Sequence, residues 1–344
     1  MTQPKLKIVG LHVEGLKSIK RLSLPEDGMG WNGEFPDVVL IGGVNGSGKT
    51  SLFEYIFSML GKFSYDWDLN IFDKLCDAWI DLEITGLVNQ PEVVRILFGN
   101  ENSEAVFEKS NTIVFSNNNN NIIDFAHGND VVKEIVEIFR KGTKNLHETD
   151  FPACILIPSE ERSVSIPVEE YKSVGRIKSP VKLCYRWSPP KKWKDSFEAI
   201  LYSARWRDLN AKEEGRNDEA GLFDTYKKEY ERFSDGNKSL AWENGELVIR
   251  LRDGSFHSLD QLSSGEKQII LFISELRFRW RPGSLVLIDE PELHLHPAWQ
   301  TKLYEALVAL QKERGGQLIL ATQSNHLFSI AEPGTKLLLG GEEL

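Results

Sequence analysis

The chain has 344 residues, enough for one large domain or two small ones. Its 41 basic and 51 acidic residues leave a net charge of −10, which argues against a whole surface that grips nucleic acid nonspecifically. The three cysteines, Cys76, Cys154 and Cys184, are scattered and odd in number, which suits a reducing cytoplasm and argues against a disulfide framework. No N-terminal signal pattern appears, and no apolar run reaches the ~18–20 residues of a membrane helix, so a membrane role would need a separate subunit.

Taken in chain order, Lys5 to Leu24 reads as two short strands around Gly15-Leu16-Lys17-Ser18-Ile19-Lys20. The apolar run Val38-Val39-Leu40-Ile41 then reads as a buried parallel strand, and Ser51 to Leu60 as a helix. Between them, Gly43-Val44-Asn45-Gly46-Ser47-Gly48-Lys49-Thr50 matches the G-x-x-x-x-G-K-[ST] phosphate loop in the strand-to-helix setting that motif requires. Glycines 43, 46 and 48 let backbone amides turn inward around an anion, and the helix offers its positive end to the same charge. The candidate phosphate contacts are Gly43, Asn45, Gly46, Ser47, Gly48, Lys49, Thr50 and Ser51, with Lys49 a point charge and the Thr50 hydroxyl a ligand for Mg²⁺.

Residues 76 to 125 alternate apolar and polar in short runs, which predicts an antiparallel sheet beside the nucleotide, with the asparagine run Asn117 to Asn121 at a hairpin tip or loop. A short amphipathic helix is predicted over 131–140. Ala153 to Ile157 reads as a strand entering a loop that carries Arg162. Further on, helices are predicted near 195–213 and 221–233, followed by a hairpin through Glu243-Asn244-Gly245-Glu246. No apolar heptad is sustained, so the chain lacks long coiled-coil arms. The stretch Lys172 to Lys194 holds eight basic residues, no acid, and the aromatics Tyr185, Trp187 and Trp193. Such a segment can contact nucleic acid, or dock on an acidic partner or on the protein's own body.

Leu262-Ser263-Ser264-Gly265-Glu266 opens an amphipathic helix whose stripe is Ile269, Phe272, Ile273, Leu276 and Trp280. Ser263, Ser264 and Gly265 at its N-terminus form a second candidate anion site. Leu285-Val286-Leu287-Ile288 then leads into Asp289 and Glu290, whose side chains alternate along a strand and can take different tasks: Asp289 beside Mg²⁺, Glu290 on an attacking water. Pro291-Glu292-Leu293-His294-Leu295-His296-Pro297 invites a metal reading through its His-x-His spacing, although no cysteine or third histidine lies near it in sequence. Last, the strand Leu318 to Thr322 ends at Gln323-Ser324-Asn325-His326.

The order of these motifs resembles the ABC-type ATPases, and the wording after Glu290, with Gly15 to Lys20 near the start, is similar to their RecF, OLD and SMC-like branch. That resemblance implies an α/β P-loop fold with a nucleotide-binding lobe over residues 1–160 and 281–344 and a mostly helical signature lobe over 161–280. It implies ATP as substrate, Mg²⁺ as cofactor, and a homodimer in which Ser263 closes over the ATP of the partner copy. Lys17 and Ser18 would sit near the base or ribose, and Arg162 near the lobe-to-lobe hinge. Relatives commonly carry a histidine where this chain has Gln323, which can hydrogen-bond a phosphate but carries no charge. Slow or partner-regulated turnover is the expectation. OLD-type chains continue past this point into a nuclease, whereas this one ends shortly after Gln323. The implied role is a cytoplasmic ATPase that controls an effector such as a nuclease or toxin in antiphage defence. The alternatives are a RecF-like DNA-repair ATPase and, more weakly, a transporter energy subunit.

Overall fold

A computed structural model describes residues 4–25, 34–61, 77–86, 92–98, 112–115, 126–127, 152–159, 184–186, 193–216, 221–293 and 295–340. Its central layer is a six-stranded, all-parallel sheet built from β3 (Val38–Gly42), β8 (Cys154–Ile157), β9 (Cys184–Arg186), β13 (Leu285–Asp289), β14 (Gln317–Thr322) and β15 (Lys336–Leu338). The spatial order is β15-β3-β14-β13-β8-β9. This order sets β14 between the phosphate-loop strand and the Asp289 strand. The carboxyl ends of β3, β14 and β13 therefore open side by side, the edge at which open α/β sheets bind ligands.

The uninterrupted apolar runs follow from burial of both faces of this sheet. Val39, Ile41, Cys154, Leu156, Leu285, Leu287, Ile319 and Ala321 belong to one core, shared with α1 (Lys49–Gly61) and a second sheet. Leu40, Ile155, Ile157, Val286, Ile288, Leu318 and Leu320 belong to the other. That second core is completed by α2 (Trp193–Glu213), α3 (Leu222–Phe233), α4 (Ser264–Arg279) and α5 (Pro297–Arg314). The α4 stripe expected from the sequence, Ile269, Phe272, Ile273, Leu276 and Trp280, lies wholly inside it.

The second sheet runs β2-β1-β4-β5-β6-β7, from β1 (Lys5–Leu16), β2 (Ile19–Leu24), β4 (Asp77–Thr85), β5 (Glu92–Phe98), β6 (Thr112–Phe115) and β7 (Ala126–His127). Strand β1 is longer than the short strand expected, and it bulges between Ile8 and Gly10. Gln317 repairs the break: its side chain accepts from the Ile8 N–H at 2.9 Å and donates to the Ile8 carbonyl at 3.1 Å, tying this sheet to the root of β14.

Two expectations need correction. The 76–125 sheet is not wholly antiparallel, because β5 and β6 pair in parallel through Arg95↔Thr112 to Phe98↔Phe115. The 161–280 segment, expected as a mostly helical lobe, also supplies β9 to the central parallel sheet, while β10 (Lys238–Glu243) and β11 (Glu246–Leu251) form the expected hairpin, which β12 (Phe256–His257) extends. A run of three residues such as β9 is too short to leave a periodic signal. The expected helix over 131–140, the asparagine run, Arg162, His294 and most of Lys172 to Lys194 lie outside the described residues.

Candidate active site

The phosphate loop passes from β3 into α1 with Ser47 N–H bonded to the Val44 carbonyl at 3.1 Å and Leu52 N–H to the Gly48 carbonyl at 2.9 Å. Two glycines are demanded by space as well as conformation. At Gly48, φ is +101° and a Cβ would lie 2.7 Å from Ile19 Cγ1; at Gly43 a Cβ would lie 2.5 Å from Ser47 Oγ. Ile19 opens β2, so the Gly15–Lys20 turn sits directly against the loop. Lys17, exposed, takes φ +50° in that turn.

Lys49 is 5% exposed, and its ammonium donates to the carbonyls of Gly43 (2.6 Å) and Val44 (3.0 Å) of its own loop. Burial lowers its pKa, opposed by the negative charges of Glu290, Asp289 and Glu292. The Thr50 hydroxyl donates to Asp289 Oδ2 at 2.7 Å, and the Ser159 hydroxyl, just beyond β8, donates to the same oxygen at 3.0 Å. Asp289 itself is 1% exposed. Its Oδ1, together with Ser47 Oγ and Glu292 Oε2, is buried without a hydrogen-bond partner. Asp289 and Glu292 lie at and just after the end of β13 and Ser47 lies in the phosphate loop, so each of these buried atoms can accept a polar ligand at the sheet edge. An all-oxygen donor set of a buried carboxylate flanked by hydroxyls fits a hard divalent cation such as Mg²⁺.

Glu290 follows at φ +48°, a left-handed conformation, with its N–H bonded to the Ala321 carbonyl at 2.7 Å. That turn separates its direction from that of Asp289. Glu292, two residues on, is 6% exposed and accepts from Thr322 Oγ1 (2.6 Å) and from the Gln323 N–H (3.1 Å). Gln323 is half-buried at the tip of β14. His326 does not replace it as a charged neighbour of phosphate, because its Nε2 meets Thr301 Oγ1 of α5 at 2.7 Å.

Helix α4 starts at a reciprocal cap. Ser263 Oγ and N–H both donate to Glu266 Oε2, at 2.8 and 2.9 Å, and the Glu266 N–H returns to Ser263 Oγ at 3.3 Å. Lys238 of β10 donates to the other Glu266 oxygen at 2.6 Å. Burial raises the Glu266 pKa, but Lys238 and Ser263 outweigh it and leave the carboxyl below its ordinary value. Gly265 lies near Leu295 and Trp299 at the start of α5. Among the described residues the hydrogen bonds of the Ser263 hydroxyl and N–H go to Glu266, within the start of its own helix.

Other sequence candidates fall elsewhere. His296 caps α5 by accepting from the Ala298 N–H at 3.3 Å, and among the described residues no group of three or more metal-ligating side chains gathers around a point. Arg186, from the basic segment, is engaged by Glu54 of α1 at 2.5 and 2.6 Å. Ser159 and Glu292 carried no motif of their own; the Pro158-Ser159 loop after β8 and the third acid of Asp289-Glu290-Pro291-Glu292 were the only hints.

A phosphate loop after β3 and an Asp-Glu end on β13, with β14 between them on one parallel sheet, make the site of an α/β P-loop ATPase. Comparison with known proteins gave partial matches. Residues 184–329 match the family described as "AAA domain, putative AbiEii toxin, Type IV TA system". The Septu protein PtuA of Bacillus thuringiensis is 30% identical over 118 residues, 30% of this chain and 29% of that relative. The chain thus spans under a third of the relative's length in this match. Among solved structures, the SMC head domain from Thermotoga maritima is 14% identical, with 96% of this chain and 93% of that one covered at a TM-score of 0.45. An SMC head bound to the C-winged helix domain of ScpA is 15% identical, with 94% and 91% covered at 0.46. At such scores the fold assignment rests on this chain's own strand order. No helix among the described residues is long and apolar enough to cross a membrane.

Proposed function

We propose that the protein binds Mg-ATP on loop 43–48, closes head to tail with a second copy around two ATP molecules, and hydrolyses them to control a partner effector in antiphage defence. The observation that carries this reading is the convergence of Lys49, the Thr50–Asp289 bond and the unpartnered Ser47 Oγ and Asp289 Oδ1 at one sheet edge. Lys49 would exchange its two loop carbonyls for β- and γ-phosphate oxygens. Thr50 and Asp289 would hold Mg²⁺, which when bound neutralises phosphate charge. Glu290 would orient the attacking water and take its proton, while Gln323 donates to the γ-phosphate; the products are ADP and phosphate.

Ser263, Ser264 and Gly265 would contact the ATP of the second copy, with Ser263 turning its hydroxyl from Glu266 to the γ-phosphate. Residues 1–160 with 281–344 would move as the nucleotide lobe and 161–280 as the signature lobe, less β9. The similarity to a Septu protein and the toxin–antitoxin wording of the family support the defence setting and an effector such as a nuclease or toxin. An intracellular place of action follows from that setting. Binding of nucleic acid through Lys172 to Lys194 remains an accessory proposal, from which Arg186 is withdrawn by its bond to Glu54.

Phosphate release tests the hydrolytic core of this account. Wild-type protein should release phosphate from Mg-ATP, and Lys49→Ala and Glu290→Gln should each abolish most of it. Unchanged release from Lys49→Ala would sink the site assignment.

A further inference from the structure

We propose that Glu292 is a positioning residue for ATP hydrolysis: its carboxylate fixes the Thr322–Gln323 tip of β14 against the Asp289–Glu290 tip of β13. The inference rests on the hydrolytic reading above and adds to it the group that sets Gln323.

Glu292 lies in the turn after β13, yet both groups that donate to its Oε1, the Thr322 hydroxyl at 2.6 Å and the Gln323 N–H at 3.1 Å, belong to the end of the neighbouring strand. The Thr322 hydroxyl also accepts from the Ser324 N–H at 2.9 Å, so the residues on both sides of Gln323 hang on the same carboxylate. Ser324 in turn donates to Gln300 Oε1 at 2.7 Å, and Gln300 donates to the Leu295 carbonyl at 3.0 Å. The backbone of Gln323 is thereby gripped from two directions while its half-buried side chain carries no part of the clamp.

A purely structural tie between two strand tips could be made by a neutral side chain. Burying a charge with one oxygen unpartnered is an expensive choice unless the loaded site supplies a donor. Glu292 is 6% exposed with Oε2 unpartnered, as is Asp289 Oδ1 three positions earlier. Its charge also reaches the Lys49 ammonium together with those of Asp289 and Glu290. Residues that act as one unit show non-additive losses, and that separates positioning through Gln323 from general support of the fold.

The experiment measures phosphate release and binding of a fluorescent N-methylanthraniloyl-ATP to wild type, Glu292→Ala, Gln323→Ala and the double variant. Each single variant should lower kcat by about ten- to a hundredfold, the scale of a misplaced reacting group, with nucleotide affinity within about twofold of wild type. The double variant should fall no further than the worse single one, and Glu292→Gln, which keeps an acceptor, should recover part of kcat. If Glu292→Ala fails to fold, the cycle is read with Glu292→Gln, again expected to be non-additive with Gln323→Ala. Losses that multiply, or an unchanged kcat in Glu292→Ala, overturn the role of Glu292 alone. A wild type that releases no phosphate, or a Gln323→Ala variant with unchanged kcat, overturns the hydrolytic reading at that point and this inference with it.

Discussion

Thr50 and Asp289 stand 239 positions apart in sequence and share a 2.7 Å hydrogen bond that joins the first turn of α1 to the last residue of β13. Ser159 donates to the same carboxylate oxygen at 3.0 Å, and Asp289 Oδ1 stays buried without a partner. A hydrogen bond to a charged group contributes about 1.5–3 kcal/mol. Thr50→Val should therefore weaken Mg-dependent ATP binding by about ten- to a hundredfold, and Ser159→Ala by a smaller factor in the same direction. Titration calorimetry with Mg-ATP checks both; equal affinities across the three proteins would remove the pair from the site.

Gly48 is fixed twice, by φ +101° and by Ile19 Cγ1 at 2.7 Å from where a Cβ would sit. Gly48→Ala should cost about 1–3 kcal/mol of stability and block phosphate entry into the loop. Adding Ile19→Ala relieves the clash but not the backbone strain, so the double variant should regain only part of the stability. Denaturant melts of the three proteins decide this, and full recovery would show that the backbone angle is cheap here.

Glu266 has a lowered pKa, held by Lys238 and by Ser263. Because the folded-state value lies below the ordinary 4.5, its contribution to stability is fully present above about pH 4.5 and is lost as pH falls through the folded-state value. Glu266→Gln should thus be less stable than wild type at pH 7 and at pH 5 by the same margin, with the gap shrinking below pH 4.5. Denaturant melts at those pH values report it; a gap that widens on acidification would reverse the sign of the interaction.

Much of the fold was legible where several residues carried one message. Val38 to Ile41, Leu285 to Ile288 and Leu318 to Ala321 are apolar without interruption because both faces of β3, β13 and β14 are covered. The α4 stripe and the hairpin at Asn244-Gly245 were equally plain, the latter because both residues take positive φ. Pairing direction was legible for the unbroken apolar run Val38–Ile41 but not for alternating runs: alternation reports which face a residue occupies, not its neighbour strand, so parallel β5–β6 and the three-residue β9 escaped. At the candidate site, the motifs named the loop and the Asp289–Glu290 pair, but Ser159 and Glu292 join it through single contacts made only after folding. Such contacts leave no period and no spacing to read.

The shared-site claim is tested most directly by the solution mass of Glu290→Gln, measured by light scattering with and without Mg-ATP. That substitution should hold ATP in place by slowing its hydrolysis, and the account predicts a mass near twice the 39.1 kDa of one chain that forms or tightens only with ATP. It further predicts that Ser263→Arg in the same background stays monomeric. A mass that ATP does not change, with one chain per particle in both conditions, would contradict closure of two copies around the nucleotide.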